Sequence, residues 1–105
     1  MTNCFEGIYP PVITSFTESG DIYEKGIRSV ISYLMSEGVH GFFINGSYGS
    51  APLMTTEERK RVAEIIHQEV NGRLPIITHV GKASTRATIE LARYAEGLGS
   101  AAVAV

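Results

Sequence analysis

The residues best suited to chemistry lie together in Asn45-Gly46-Ser47-Tyr48-Gly49-Ser50-Ala51-Pro52-Leu53, between an apolar run and a helix start. Two glycines three apart permit a tight turn, and successive amides in such a turn form a nest for an anion. An ordinary βα turn, whose glycines only solve the backbone geometry, accounts for the same residues, and both readings stand at this point. Three sharper motifs fail. A dinucleotide fingerprint needs GxGxxG opening a helix, whereas the loop reads G-S-Y-G-S-A. Val80-Gly81-Lys82-Ala83-Ser84 hints at a phosphate loop, but Ile76 stands where its first glycine belongs and Ala83 where Ser or Thr belongs. A nucleophile elbow at Ser47 needs Gly in place of Asn45, and a helix that starts at the serine itself.

His79 closes another apolar run, where a catalytic role and a hydrogen-bonded structural role both fit. His67, on the polar side of a helical stretch, and His40, in a turn, read as solvated. Lys82 is the lysine nearest the rim and reads as exposed, with contact to an acidic ligand as the alternative. Arg59-Lys60-Arg61 sits among Glu57, Glu58 and Glu64 and reads as a solvated helix face, while Tyr9, Phe42 and Phe43 read as core. Cys4, the single cysteine, cannot form an internal disulfide, and no CxxC or Cys/His cluster suggests zinc. Neither metal nor cofactor is expected.

Four short apolar runs must position these groups: Ile8 to Ile13, weakened by Pro10 and Pro11, then Gly41 to Asn45, Leu74 to Val80 and Ala101 to Val105. Runs this short and apolar on both faces suit buried parallel strands. Three helical stretches separate them. In the first, Asp21 with Glu24 has capping-box spacing, Ile27, Val30, Ile31, Leu34 and Met35 form one apolar face, and Gly38 ends it. Thr55 with Glu58 opens the second, which buries Val62, Ile65, Ile66 and Val70 before Asn71-Gly72. The third starts near Ser84-Thr85 and presents Leu91, Ala92, Ala95 and Leu98 before Gly99. The order is β-α-β-α-β-α-β, with strand starts near 8, 41, 74 and 101, close to one βαβ unit each. That order means a parallel sheet, either open and doubly wound or part of a barrel.

Composition narrows the partners. The 105 residues carry a formal charge of −2 with 44% hydrophobic and 19% charged residues, ordinary for one soluble domain. The charge gives no electrostatic reason to expect nucleic acid or an anionic membrane. No apolar run approaches the roughly 18 residues needed to span a bilayer. The N-terminal residues lack a signal-peptide pattern, which points to the cytoplasm and gives the Asn45-Gly46-Ser47 sequon little weight.

Gly7 with Thr14, then Gly46-Ser47-Tyr48-Gly49, then Thr55-x-x-Glu58-Arg59, then His79-Val80-Gly81 with Ser84-Thr85, resemble in order the dihydrodipicolinate synthase/N-acetylneuraminate lyase family. The resemblance runs over essentially the whole chain, and His-Val-Gly with Ser-Thr is slightly more similar to the neuraminate lyase branch. It implies a (β/α)8 TIM barrel, and class I aldolase chemistry in which a lysine on the sixth strand forms a Schiff base with pyruvate or another 2-oxo acid. An aldehyde is the co-substrate, a tyrosine after the fourth strand moves protons, and the full-length family is commonly tetrameric. By the same resemblance, Gly46 belongs to the carboxylate-binding turn, the amides of Ser47 and Tyr48 hold the carboxylate, the Ser47 hydroxyl assists the tyrosine, and Pro11 lines the pocket.

Three positions depart from the family pattern and bear on the substrate rather than the fold: Tyr48 replaces a second Thr or Ser, Ser50 a common Glu, and Ser15 a common Pro. A barrel needs about 250 residues, so residues 1–105 read as its N-terminal half, about the first four strands and three helices. Lys25, Lys60 and Lys82 match no catalytic position of the family. The 105-residue chain alone is therefore expected to be inactive, and to fold only if its open edges are covered. The alternatives are a non-catalytic half-barrel that self-associates or binds a partner, and a flavodoxin-like module with a phosphate at the Gly46–Pro52 loop.

Overall fold

Helix ends carry the plainest local chemistry in the chain. In the computed structural model, which describes residues 5–105, the Glu58 amide donates to the Thr55 hydroxyl (3.1 Å) and the Thr55 amide donates back to the Glu58 carboxylate (2.8 Å). That reciprocal box starts a helix exposed to few alternatives. In chain order the elements are α1 (Glu24–Ser36), β1 (Phe42–Ile44), a 3-10 turn (Ala51–Leu53), α2 (Thr56–Val70), β2 (Ile76–His79), α3 (Thr85–Leu98) and β3 (Ala102–Ala104). The Ser84 hydroxyl caps α3 by accepting the Ala87 amide, and left-handed Asn71 and Gly99 end α2 and α3. Cys4 lies outside the described residues.

Asp21 does not cap α1. The N-cap is Tyr23, without a side-chain cap bond. A tight turn claims Asp21 first: its carboxylate accepts the Ser19 hydroxyl (3.2 Å), and its amide donates to the Thr17 hydroxyl (3.2 Å).

The sheet is parallel in the order β1-β2-β3, with Phe42, Phe43 and Ile44 opposite Ile76, Ile77 and Thr78, and Ile77, Thr78 and His79 opposite Ala102, Val103 and Ala104. The first expected strand, Ile8 to Ile13, lies alongside β1 but pairs with it only at a Pro11–Phe43 bridge. The Phe43 amide donates to the Pro10 carbonyl (3.1 Å) and the Val12 amide to the Phe43 carbonyl (2.9 Å). Pro10 and Pro11 carry no N–H, so a regular ladder cannot form there. His40 is exposed, as expected of a solvated residue, yet its Nδ1 accepts the Ile8 amide (2.9 Å) and ties the segment to the turn before β1.

The main core joins Ile27 and Ile31 of α1, Phe42 and Ile44 of β1, and Val62, Ile65, Ile66 and Val70 of α2. Each such side chain contributes roughly 1.5–3 kcal/mol by leaving water. A second, smaller cluster of Val80, Leu91 and Ala95 seats α3. No helix among the described residues is long and apolar enough to cross a membrane.

Candidate active site

The loop after β1 is wound through successive turns that use up some of its amides and spare others. The Gly49 and Ala51 amides donate to the Gly46 carbonyl (3.0 and 3.2 Å), and the Ser50 amide donates to the Ser47 carbonyl (3.0 Å). The amides of Ser47 and Tyr48 have no acceptor among the described residues. Asn45 and Ser50 bracket the turns in the left-handed region, at φ 60 and 64. Gly49 sits in a close approach: a Cβ there would stand 3.2 Å from both the Asn45 nitrogen and the Val12 carbonyl oxygen, so backbone would have to give by a few tenths of an ångström.

Behind the loop is a cavity of about 380 Å³ lined by Gly46, Ser47, Ala51, Pro52, Met54, Arg59, His79, Gly81, Lys82 and Ala83. Its lining brings together the loop after β1 and the loop after β2, with α2 between them. Arg59 is not on a solvated face. It is 2% exposed, and its guanidinium donates to the carbonyls of His79 and Gly81, both at 2.8 Å. Burial lowers its pKa from the ordinary arginine value, but an arginine remains a cation at neutral pH. Lys60 and Arg61 do lie in the expected acidic setting, Lys60 with Glu57 and Glu90, Arg61 with Glu64 and Glu24.

His79 is half-buried, with its Nδ1 3.5 Å from the Arg59 guanidinium. Burial, and then the Arg59 charge, push its pKa below 6.5, so the ring is neutral at pH 7. Lys82 is also half-buried rather than exposed: its Nζ donates to the Thr56 hydroxyl (3.0 Å). The lining thus holds two cations, a neutral imidazole and no carboxylate. Such a cavity favours an anion, held by point charges and by oriented amides.

Of the residues singled out in the sequence, Gly46 and Ser47 line this cavity, and Tyr48 stands beside it, 73% exposed. Pro11 is elsewhere. It borders a separate apolar cavity with Val12, Val30, Tyr33 and Leu34, on the α1 side of the first segment.

Residues 4–105 match the family model described as the dihydrodipicolinate synthetase family. The chain belongs to that family. It is 41% identical over 99 residues to 4-hydroxy-tetrahydrodipicolinate synthase of Methanopyrus kandleri, covering 93% of this chain and 33% of that protein. It is 35% identical over 100 residues to N-acetylneuraminate lyase of Mediterraneibacter gnavus, covering 95% and 32%. Among solved structures it superposes, at a TM-score of 0.92 and 36% identity, on a prophage protein of the dihydrodipicolinic acid synthase family from E. coli K12 in complex with pyruvate, covering 96% and 34%. The chain spans about a third of the length of the curated relatives it matches.

Family membership settles the choice between an open sheet and a barrel: the parallel strands are part of a (β/α)8 barrel. In such barrels ligands collect at the carboxyl ends of the strands, which is where the cavity lies. Reading the sequence missed Arg59 as part of this cavity's lining. The signal for Arg59 was its spacing from Val62 and Ile66, which puts it on the buried stripe of α2, whereas Lys60 and Arg61 fall off it.

Proposed function

We propose that this chain supplies the carboxylate-holding part of a Schiff-base aldolase or lyase that acts on pyruvate or another 2-oxo acid with an aldehyde co-substrate. One observation carries the reading: the free amides of Ser47 and Tyr48 adjoin a cavity whose charged lining is cationic only. The amides receive the carboxylate, the Ser47 hydroxyl lies beside it to assist proton transfer, and Arg59 and Lys82 favour the anion over water. A carboxylate fixed by preorganised donors presents its adjacent carbonyl for attack by an amine. Pro11 acts at one remove, placing β1 through its bridge to Phe43. Lys25, Lys60 and Lys82 form no imine in this reading. That lysine, and the tyrosine that moves protons, are assigned to the part of the relatives' length beyond this match, in a cytoplasmic homo-oligomer.

Borohydride trapping with pyruvate tests the proposal on the native polypeptide that carries this sequence. One reduced pyruvate adduct is expected, on a lysine other than these three. An adduct on Lys82 overturns the assignment of the lysine, and no adduct at all overturns the reading and leaves the non-catalytic binding module as the leading account.

A further inference from the structure

Asn45 carries an evident local cost. It holds a left-handed backbone at φ 60, a conformation that residues other than Gly and Asn resist. It is 2% exposed, and its Oδ1 is buried without a partner among the described residues. A glycine makes the same bend and leaves no acceptor stranded. Costs of this kind collect at functional sites, where surrounding structure over-determines them.

The side-chain amide is what the cost brings. Asn45 Nδ2 donates to the backbone carbonyl of Arg59 at 2.9 Å, and the Arg59 guanidinium passes the connection on to the carbonyls of His79 and Gly81. The end of β1 is thereby fastened through one residue of α2 to the end of β2. Ser47, whose amide is free, comes two residues after Asn45, so any rotation of the bend re-aims that amide.

Building on the anion-holding role proposed above, we infer that Asn45 is a positioning residue, whose amide fixes the Gly46–Tyr48 turn against α2 so that the Ser47 and Tyr48 amides meet a carboxylate. Orienting groups matter to this degree because displacements on the order of 1 Å cost large factors in binding and rate.

The test is pyruvate-dependent borohydride trapping with the native polypeptide, Asn45→Gly and Asn45→Asp. Glycine keeps the backbone bend and removes the amide; aspartate keeps the shape and removes the donor. Each is expected to raise the half-saturating pyruvate concentration about ten-fold, with the trapping rate at saturation within about two-fold. The thermal midpoint of Asn45→Gly is expected to hold or rise, because the stranded oxygen is gone. A purely structural role predicts the reverse pattern, a lowered midpoint with unchanged half-saturation. Unchanged half-saturation in either folded variant, or failure of both to fold, overturns the inference. If the unsubstituted protein traps no pyruvate, the aldolase reading fails and this inference with it. A trapped adduct with unchanged variants removes this inference alone.

Discussion

Helix α2 turns two polar side chains inward, Arg59 buried and His67 half-buried, eight residues or about 12 Å apart along its axis, and partners them in opposite ways. Arg59 is a charge at the carboxyl-end rim, spent on the carbonyls of a loop. His67 is held in an uncharged relay: its Nδ1 contacts the Ala63 carbonyl (2.7 Å), its Nε2 the Ser100 hydroxyl (2.9 Å), and Ser100 the Thr78 hydroxyl (2.8 Å). The carbonyl can only accept, so Nδ1 carries the proton, Ser100 donates to Nε2 and Thr78 donates to Ser100. His67 is therefore not the solvated residue that its neighbours in the sequence suggest. The rim tolerates a buried cation because loop carbonyls and a prospective anion share it. The relay has neither, and burial pushes the His67 pKa below its usual 6.5. The barrel architecture makes the same division: chemistry at one end of the strands, stability at the other.

Removing Arg59 should break that contrast most severely. Arg59→Leu strips two loop carbonyls of their donors and should lower stability by about 2–4 kcal/mol in urea denaturation, and it should abolish pyruvate trapping. His67→Leu should cost less, about 1–2 kcal/mol, because Ser100 and Thr78 still bond one another, and it should leave trapping intact. Equal losses from the two substitutions would erase the distinction.

Acid sharpens the comparison. The folded state resists protonating His67, and the unfolded chain does not. Its contribution is therefore complete above pH 6.5 and is lost as pH falls below that value toward the lower folded pKa. The slope is at most about 1.4 kcal/mol per pH unit for this residue, and His79 adds a part of the same sign. Urea midpoints measured downward from pH 7 should fall, and His67→Gln should flatten the decline; a decline unchanged by that substitution would remove His67 from the account.

Two helix starts give the smallest effects. Thr55→Ala should cost about 1 kcal/mol, whereas Asp21→Ala, which removes no cap, should stay within about 0.5 kcal/mol. A larger loss at Asp21 in denaturant titrations would show that the Thr17–Asp21 turn, rather than the cap, governs the start of α1.

Much of the architecture was legible in the residues. The Thr55–Glu58 box, the Ser84 cap, the stops at Asn71 and Gly99 and the apolar faces of the helices all stand where spacing puts them. The turn at Gly46–Gly49 was legible as a candidate site, but the cavity behind it was not. Arg59 read as surface because charge runs usually are, Lys82 because a lysine just past a strand is usually exposed, and Ile8 to Ile13 read as a strand because two prolines only weaken an apolar run.

What the sequence determined by itself was whatever closes within a turn or two of chain: caps, helix faces, left-handed stops and the βα order, since their partners are three or four residues away. The tertiary structure alone decided the burial and the partners of the polar groups. Arg59 finds its carbonyls 20 and 22 residues onward, Lys82 its hydroxyl 26 residues back, and His67 its serine 33 residues onward. Only once the parallel sheet brings those segments together does a charged or titratable group find partners that leave it stable out of water.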